Sequence, residues 1–144
     1  MARIQARAAA MQLVYEQLEG GGSEETLSEL IGFTADTSGS EEIYEEDKAL
    51  INTLVSGVLA HAQELDQLIA SYLRGWTLDR VARVDLCTLR VALYSLLYEP
   101  ETPPSIIIKE AVDMAGHYST EKSSGFVNGV LSAFMKDREE AQQH

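Results

Sequence analysis

Between Val81 and Tyr98 the chain reads VARVDLCTLRVALYSLLY, apolar nearly all round, with prolines following at Pro100, Pro103 and Pro104. A helix with this pattern has no face to give to water and needs cover on several sides. The prolines stop it. A chain holding such a run must wrap other helices around it, so an all-α protein is expected. Helix formers dominate, and at 144 residues and 45% hydrophobic content the chain has material for one core, in one domain or one domain with two packed halves.

The covering helices are readable from three- and four-residue spacings. Ile4, Ala8, Met11, Val14, Tyr15 and Leu18 mark a first helix over residues 3–18, ended by Gly20, Gly21 and Gly22. Ser23 caps a second, with Leu27, Leu30 and Ile31 inside. After a loop at 33–40, Ser38 and Glu41 have capping-box spacing, and Tyr44, Leu50, Ile51, Leu54, Val55 and Val58 follow. Leu65, Leu68, Ile69 and Tyr72 mark a helix near 61–73, stopped at Gly75, with Thr77 capping what comes next. Thr102 is expected to cap a helix over 103–115 closed by Gly116, and Ser119 or Thr120 a last one over about 121–138.

Charge and motifs exclude more than they suggest. Eleven basic against 23 acidic side chains give a net charge of −12, unfavourable for a general polyanion binder. Five of the seven residues Glu41–Asp47 are acidic, whereas residues 1–15 carry Arg3 and Arg7 and no acid, so a nucleic-acid site is local and the first helix is the place for it. The start resembles a transit peptide slightly but runs into a helical pattern and reads as mature sequence. His61, His117 and His144 lie far apart, Cys87 is the one cysteine, and there is no metal-ligand spacing, phosphate loop or nucleophile elbow. The reading is a non-enzymatic binding protein without metal or cofactor. A lone cysteine fits a reducing, cytoplasmic setting, and no apolar run reaches the roughly 18 residues of a membrane span.

The order of WTLDRVARVD (76–85), LRVALY (89–94), PPSIIIKEAVDMA (103–115) and FVNGVL (126–131), with ARAAAMQLVY (6–15) and LVSGV (54–58) ahead, resembles the NusB family of transcription antitermination factors over nearly the whole chain. The resemblance implies about seven helices in two packed sub-bundles, here about 1–75 and 76–138. It implies binding of boxA-type single-stranded RNA together with the ribosomal protein NusE, in a complex that keeps RNA polymerase elongating through ribosomal RNA operons. Some members form homodimers.

Carried onto this chain, the resemblance points to Arg3, Arg7, Gln12, Tyr15, Lys122 and Phe126 for RNA, with Phe126 able to stack on an unpaired base. Asp79 and Asp85 are the positions for a basic partner. Arg80 and Arg90 are expected to join helices, Trp76 to anchor the sub-bundles, and Gly125 and Gly129 to let another helix approach while Asn128 satisfies backbone groups. The chain departs from the family in its thin basic terminus, in Gly116 and Gly125 where basic residues are usual, and in Ser95 for a common glutamate. Those losses support a rival reading, an adaptor of the same fold with little RNA affinity; a third reading is a homodimer that masks its RNA face, with Ala8, Ala9 and Ala10 permitting close helix contact.

Overall fold

The computed structural model describes residues 3–20, 41–75 and 77–142. Among them are six α-helices and no strand: α1 (Arg3–Tyr15), α2 (Glu41–Ala60), α3 (Ala62–Ala70), α4 (Arg83–Tyr98), α5 (Pro104–Tyr118) and α6 (Glu121–Gln142). The helix expected from Ser23 and the Trp76 anchor lie outside the described residues.

The apolar run becomes α4, and it is the hub. It packs against α1, α2, α3, α5 and α6. Leu86, Cys87, Leu89, Val91, Ala92, Leu93 and Leu96 are all buried on it, and every residue from Asp85 to Leu93 is covered, so water reaches the helix only near its ends. Its polar residues are absorbed by neighbours. Arg90 Nε donates to Asp66 Oδ1 (2.7 Å) and Nη2 to Asp66 Oδ2 (3.0 Å), a two-pronged tie between α4 and α3 as expected for Arg90.

Helix α1 is buried almost as fully. Ala6, Ala8, Ala9, Ala10, Met11, Leu13 and Val14 are inside, because alanines let α2 and α4 come close from different sides. A homodimer through Ala8–Ala10 is therefore corrected: those side chains are already covered within the chain. The α1 pattern continues into one π-helical turn, Glu16–Gly20, and Tyr15 and Leu18 end up exposed, not in the expected inner stripe.

Two helix boundaries differ from expectation. Thr102 does not start α5; Pro103 occupies the cap position and Pro104 the first turn, where a missing N–H costs nothing. Gly116 does not end α5, which continues to Tyr118. A β-carbon at Gly116 would stand 2.6 Å from Ser124 Oγ, and that hydroxyl donates to Val112 O (3.2 Å). The glycine is where α6 crosses α5, and packing outweighs its helix cost of about 1 kcal/mol. Gly57 does the same on α2, where the Tyr94 ring lies over it and a β-carbon would sit 2.1 Å from Cζ. Gly75, by contrast, ends the α3 segment with φ 81°, a left-handed turn that suits glycine.

Candidate nucleic-acid and partner interface

At α1, the inward packing leaves little side chain for a ligand. Gln12 is half-buried, Tyr15 is exposed, and between them Leu13 and Val14 face the core. Arg3 lies at the helix start, in its first turn.

Arg7 is a correction. Only 1% exposed, it donates through Nη2 to Glu99, just past α4, and through Nη1 to Glu110 on α5. Its Nε has no partner among the described residues. The physical reason lies in its neighbours on α1: every described residue from Ala6 to Met11 is buried, so a guanidinium there must find carboxylates or remain uncompensated. Two are supplied from 92 and 103 residues away. Arg7 fastens α1 to the rest of the core and is not a surface phosphate contact.

The start of α6 is organised by hydroxyls. Thr120 Oγ1 accepts the Ser123 N–H (3.2 Å), the cap expected at Ser119 or Thr120. The Ser123 hydroxyl donates to Asp85 Oδ2 (2.8 Å) and lies 2.9 Å from Ser119 Oγ. Asp85 is therefore the second correction. It is 5% exposed, and its Oδ1 has no hydrogen-bond partner among the described residues. One carboxylate oxygen positions α6 against α4, and the group is not on an open acidic face. Asp79 is exposed, accepts the Thr77 hydroxyl, and its carbonyl accepts from Arg83 Nη2 (3.1 Å).

Beyond the cap, Val127, Val130, Leu131 and Phe134 turn inward, and Phe126 is half-buried against the core. The opposite face carries exposed Lys122, Gly125, Asn128, Gly129 and Ser132. A β-carbon at Gly125 or Gly129 would meet nothing within 4 Å, so neither glycine receives a helix as expected. Asn128 serves no neighbouring helix end; its Oδ1 accepts from Ser132 one turn on (3.4 Å). This flat strip was missed in the sequence, although Lys122, Gly125, Gly129 and Ser132 follow helical spacing opposite the apolar residues. The structure thus separates the RNA expectations. Gln12 and Tyr15 sit on α1, Lys122 and Phe126 on α6, and α4 and α5 connect the two helices.

Comparison with known proteins decides what kind of arrangement this is. The NusB family model matches residues 4–136. The transcription antitermination protein NusB of Finegoldia magna is 34% identical over 142 residues, 98% of each chain. The chain belongs to the NusB family. A NusB of Symbiobacterium thermophilum is 34% identical over 94% of this chain and 90% of its own. Among solved structures, the fold superposes on T. maritima NusB with a TM-score of 0.78 at 30% identity, over 94% of this chain and 92% of that one. A structure of the antitermination factors NusB and NusE with double-stranded RNA gives 0.74 at 29% identity, over 94% and 97%.

NusB proteins are transcription antitermination factors and not enzymes, so the hydroxyl and carboxylate cluster around Asp85 is architecture and not a reaction centre. Among the described residues no group of three or more His, Cys, Asp or Glu could hold a metal ion. No described helix is long and apolar enough to cross a membrane.

Proposed function

We propose that this NusB protein acts in the cytoplasm by binding boxA-type single-stranded RNA jointly with NusE, and so sustains RNA polymerase through ribosomal RNA operons. The observation that carries this reading is the open strip on α6. With no side chain at Gly125 and Gly129, a nucleic-acid backbone can come against the helix, and the Asn128 amide offers a donor and an acceptor to base edges. Lys122 at one end supplies a phosphate contact, and the half-buried Phe126 presents what remains of its ring beside it. Gln12 and Tyr15 extend the surface on α1, and Arg3 stands in the first turn of that helix. Exposed Asp79 is the acidic position left for NusE. The solved NusB–NusE–RNA complex, similar along almost its whole NusB-like length, supports the same pairing of partners.

With Arg7 internal, few cations remain, so RNA affinity is modest alone and the salt slope shallow. That burial also favours a second reading, an adaptor that keeps NusE and has lost RNA. Fluorescence anisotropy with boxA, scrambled and duplex RNA, with and without NusE, separates the two. The first reading expects a preference for boxA that Asn128→Ala and Lys122→Ala weaken, the latter lowering the salt slope by about one. Binding of NusE with no RNA preference under any condition would leave the adaptor.

A further inference from the structure

Three rings meet on the surface where α2 turns into α3 beside the end of α4. His61 stacks on Tyr98 with centroids 4.6 Å apart and planes at 25°, and Tyr94 lies 5.0 Å from Tyr98 and 6.1 Å from His61. Tyr94 is accounted for by the core, since it covers Gly57. Tyr98 is not: it is 43% exposed, with exposed Leu59 on the neighbouring helix end. At the edge of the rings stands Glu64. Its carboxylate is 3.2 Å from His61 Nδ1 and accepts the Tyr98 hydroxyl at 3.3 Å, yet its side chain remains 56% exposed.

We propose that this cluster is a docking point for an arginine side chain of a basic polypeptide partner. Aromatic faces attract cations, and arginine most often, because its planar guanidinium stacks while its N–H groups reach an acceptor. Glu64 is that acceptor, with lone pairs left after the Tyr98 hydroxyl is served. The electrostatics choose the occupant. From Ile51 to Leu73 there is no lysine or arginine, and with Asp66 taken up by Arg90 the exposed Glu64 carboxylate is the charge beside the rings, so a nucleic-acid phosphate would be repelled where a guanidinium is drawn in. The cluster is also distinct from the faces discussed above. Tyr98 stands thirteen helical steps beyond Asp85, about 20 Å along α4, and nothing here depends on the RNA reading.

The test is aromatic NMR on the full chain, following the His61 and Tyr98 ring signals. N-acetyl-arginine amide, its citrulline counterpart and a single-stranded oligoribonucleotide are titrated separately. Arginine is expected to shift both rings, and neutral citrulline to bind at least about threefold more weakly. Tyr98→Leu should abolish the response, Tyr98→Phe keep it within about twofold, and Glu64→Gln weaken it about threefold or more. Methyl signals of the buried core residues Leu131 and Val127, away from the rings, report that each variant is folded. Equal shifts with citrulline, no shift up to about 50 mM arginine amide, or a response to the oligoribonucleotide but not to arginine would each overturn the proposal.

Discussion

The interior around α1 and the outer face of α6 are opposites of what their residue types suggest. Arg7, a charge in a helix otherwise read as a basic arm, lies inside, and Gly125 and Gly129, read as contact points between helices, face open space. Residue type alone does not decide exposure; the neighbours do. An alanine-lined helix is drawn in from several sides and takes its arginine with it. A helix anchored by one apolar stripe leaves its remaining faces open whatever stands on them. The two pairs of helix glycines make the same point: Gly57 and Gly116 receive neighbouring side chains, Gly125 and Gly129 receive none.

Substitutions can break this contrast at either end. The largest effect is expected for Arg7→Ala, which strands Glu99 and Glu110 and should cost about 3–5 kcal/mol by urea denaturation. A surface arginine would cost almost nothing, so a change under about 0.5 kcal/mol would put Arg7 outside. Next, Gly57→Ala pushes a methyl into the Tyr94 ring and should destabilise by about 1–3 kcal/mol. On α6 the sign reverses: Gly125→Ala and Gly129→Ala should each stabilise by roughly 0.5–1 kcal/mol in the same assay, while weakening RNA if a backbone approaches there. Smallest is a pH effect at the far end of α6. Burial, then the hydrogen bond and charge of Asp137, push the Tyr72 phenol from 10.0 up to about 12. The fold favours the protonated phenol, so this stabilisation is complete below pH 10.0 and is lost as pH rises through about 12. Tyr72→Phe should flatten that decline in alkaline melts.

The fold class, the hub helix and the start of α6 were legible because they rest on local patterns: an all-apolar run, proline stops, a hydroxyl cap. Gly116 misled because its penalty is local and its compensation, Ser124 across the α5–α6 contact, is not. The site was legible mainly through resemblance. Nothing near Arg7 in the sequence marks Glu99 and Glu110 as its partners, and nothing near the two aspartates marks that Asp79 falls in the exposed 3₁₀ turn Leu78–Arg80 while Asp85 is buried in the first turn of α4. The strip on α6 is visible in its spacing, but a glycine on a helix marks a close approach and an open face alike, and only the neighbours decide between them. Tyr94 and Tyr98 stand one turn apart on α4, but His61 comes from the turn between α2 and α3, and only the packing of that turn against α4 brings the three rings together.

The ion pairs of Arg7 carry a consequence for the order of events on the ribosome. Helix α1 holds a guanidinium whose two carboxylates are made 92 and 103 residues later. Until Glu99 and then Glu110 have cleared the exit tunnel, α1 cannot take its final place with both of its ion pairs made, so this helix waits on the later half of the chain. The protein is thereby built to complete its core late, with long-range contacts closing last and little reward for any partial chain.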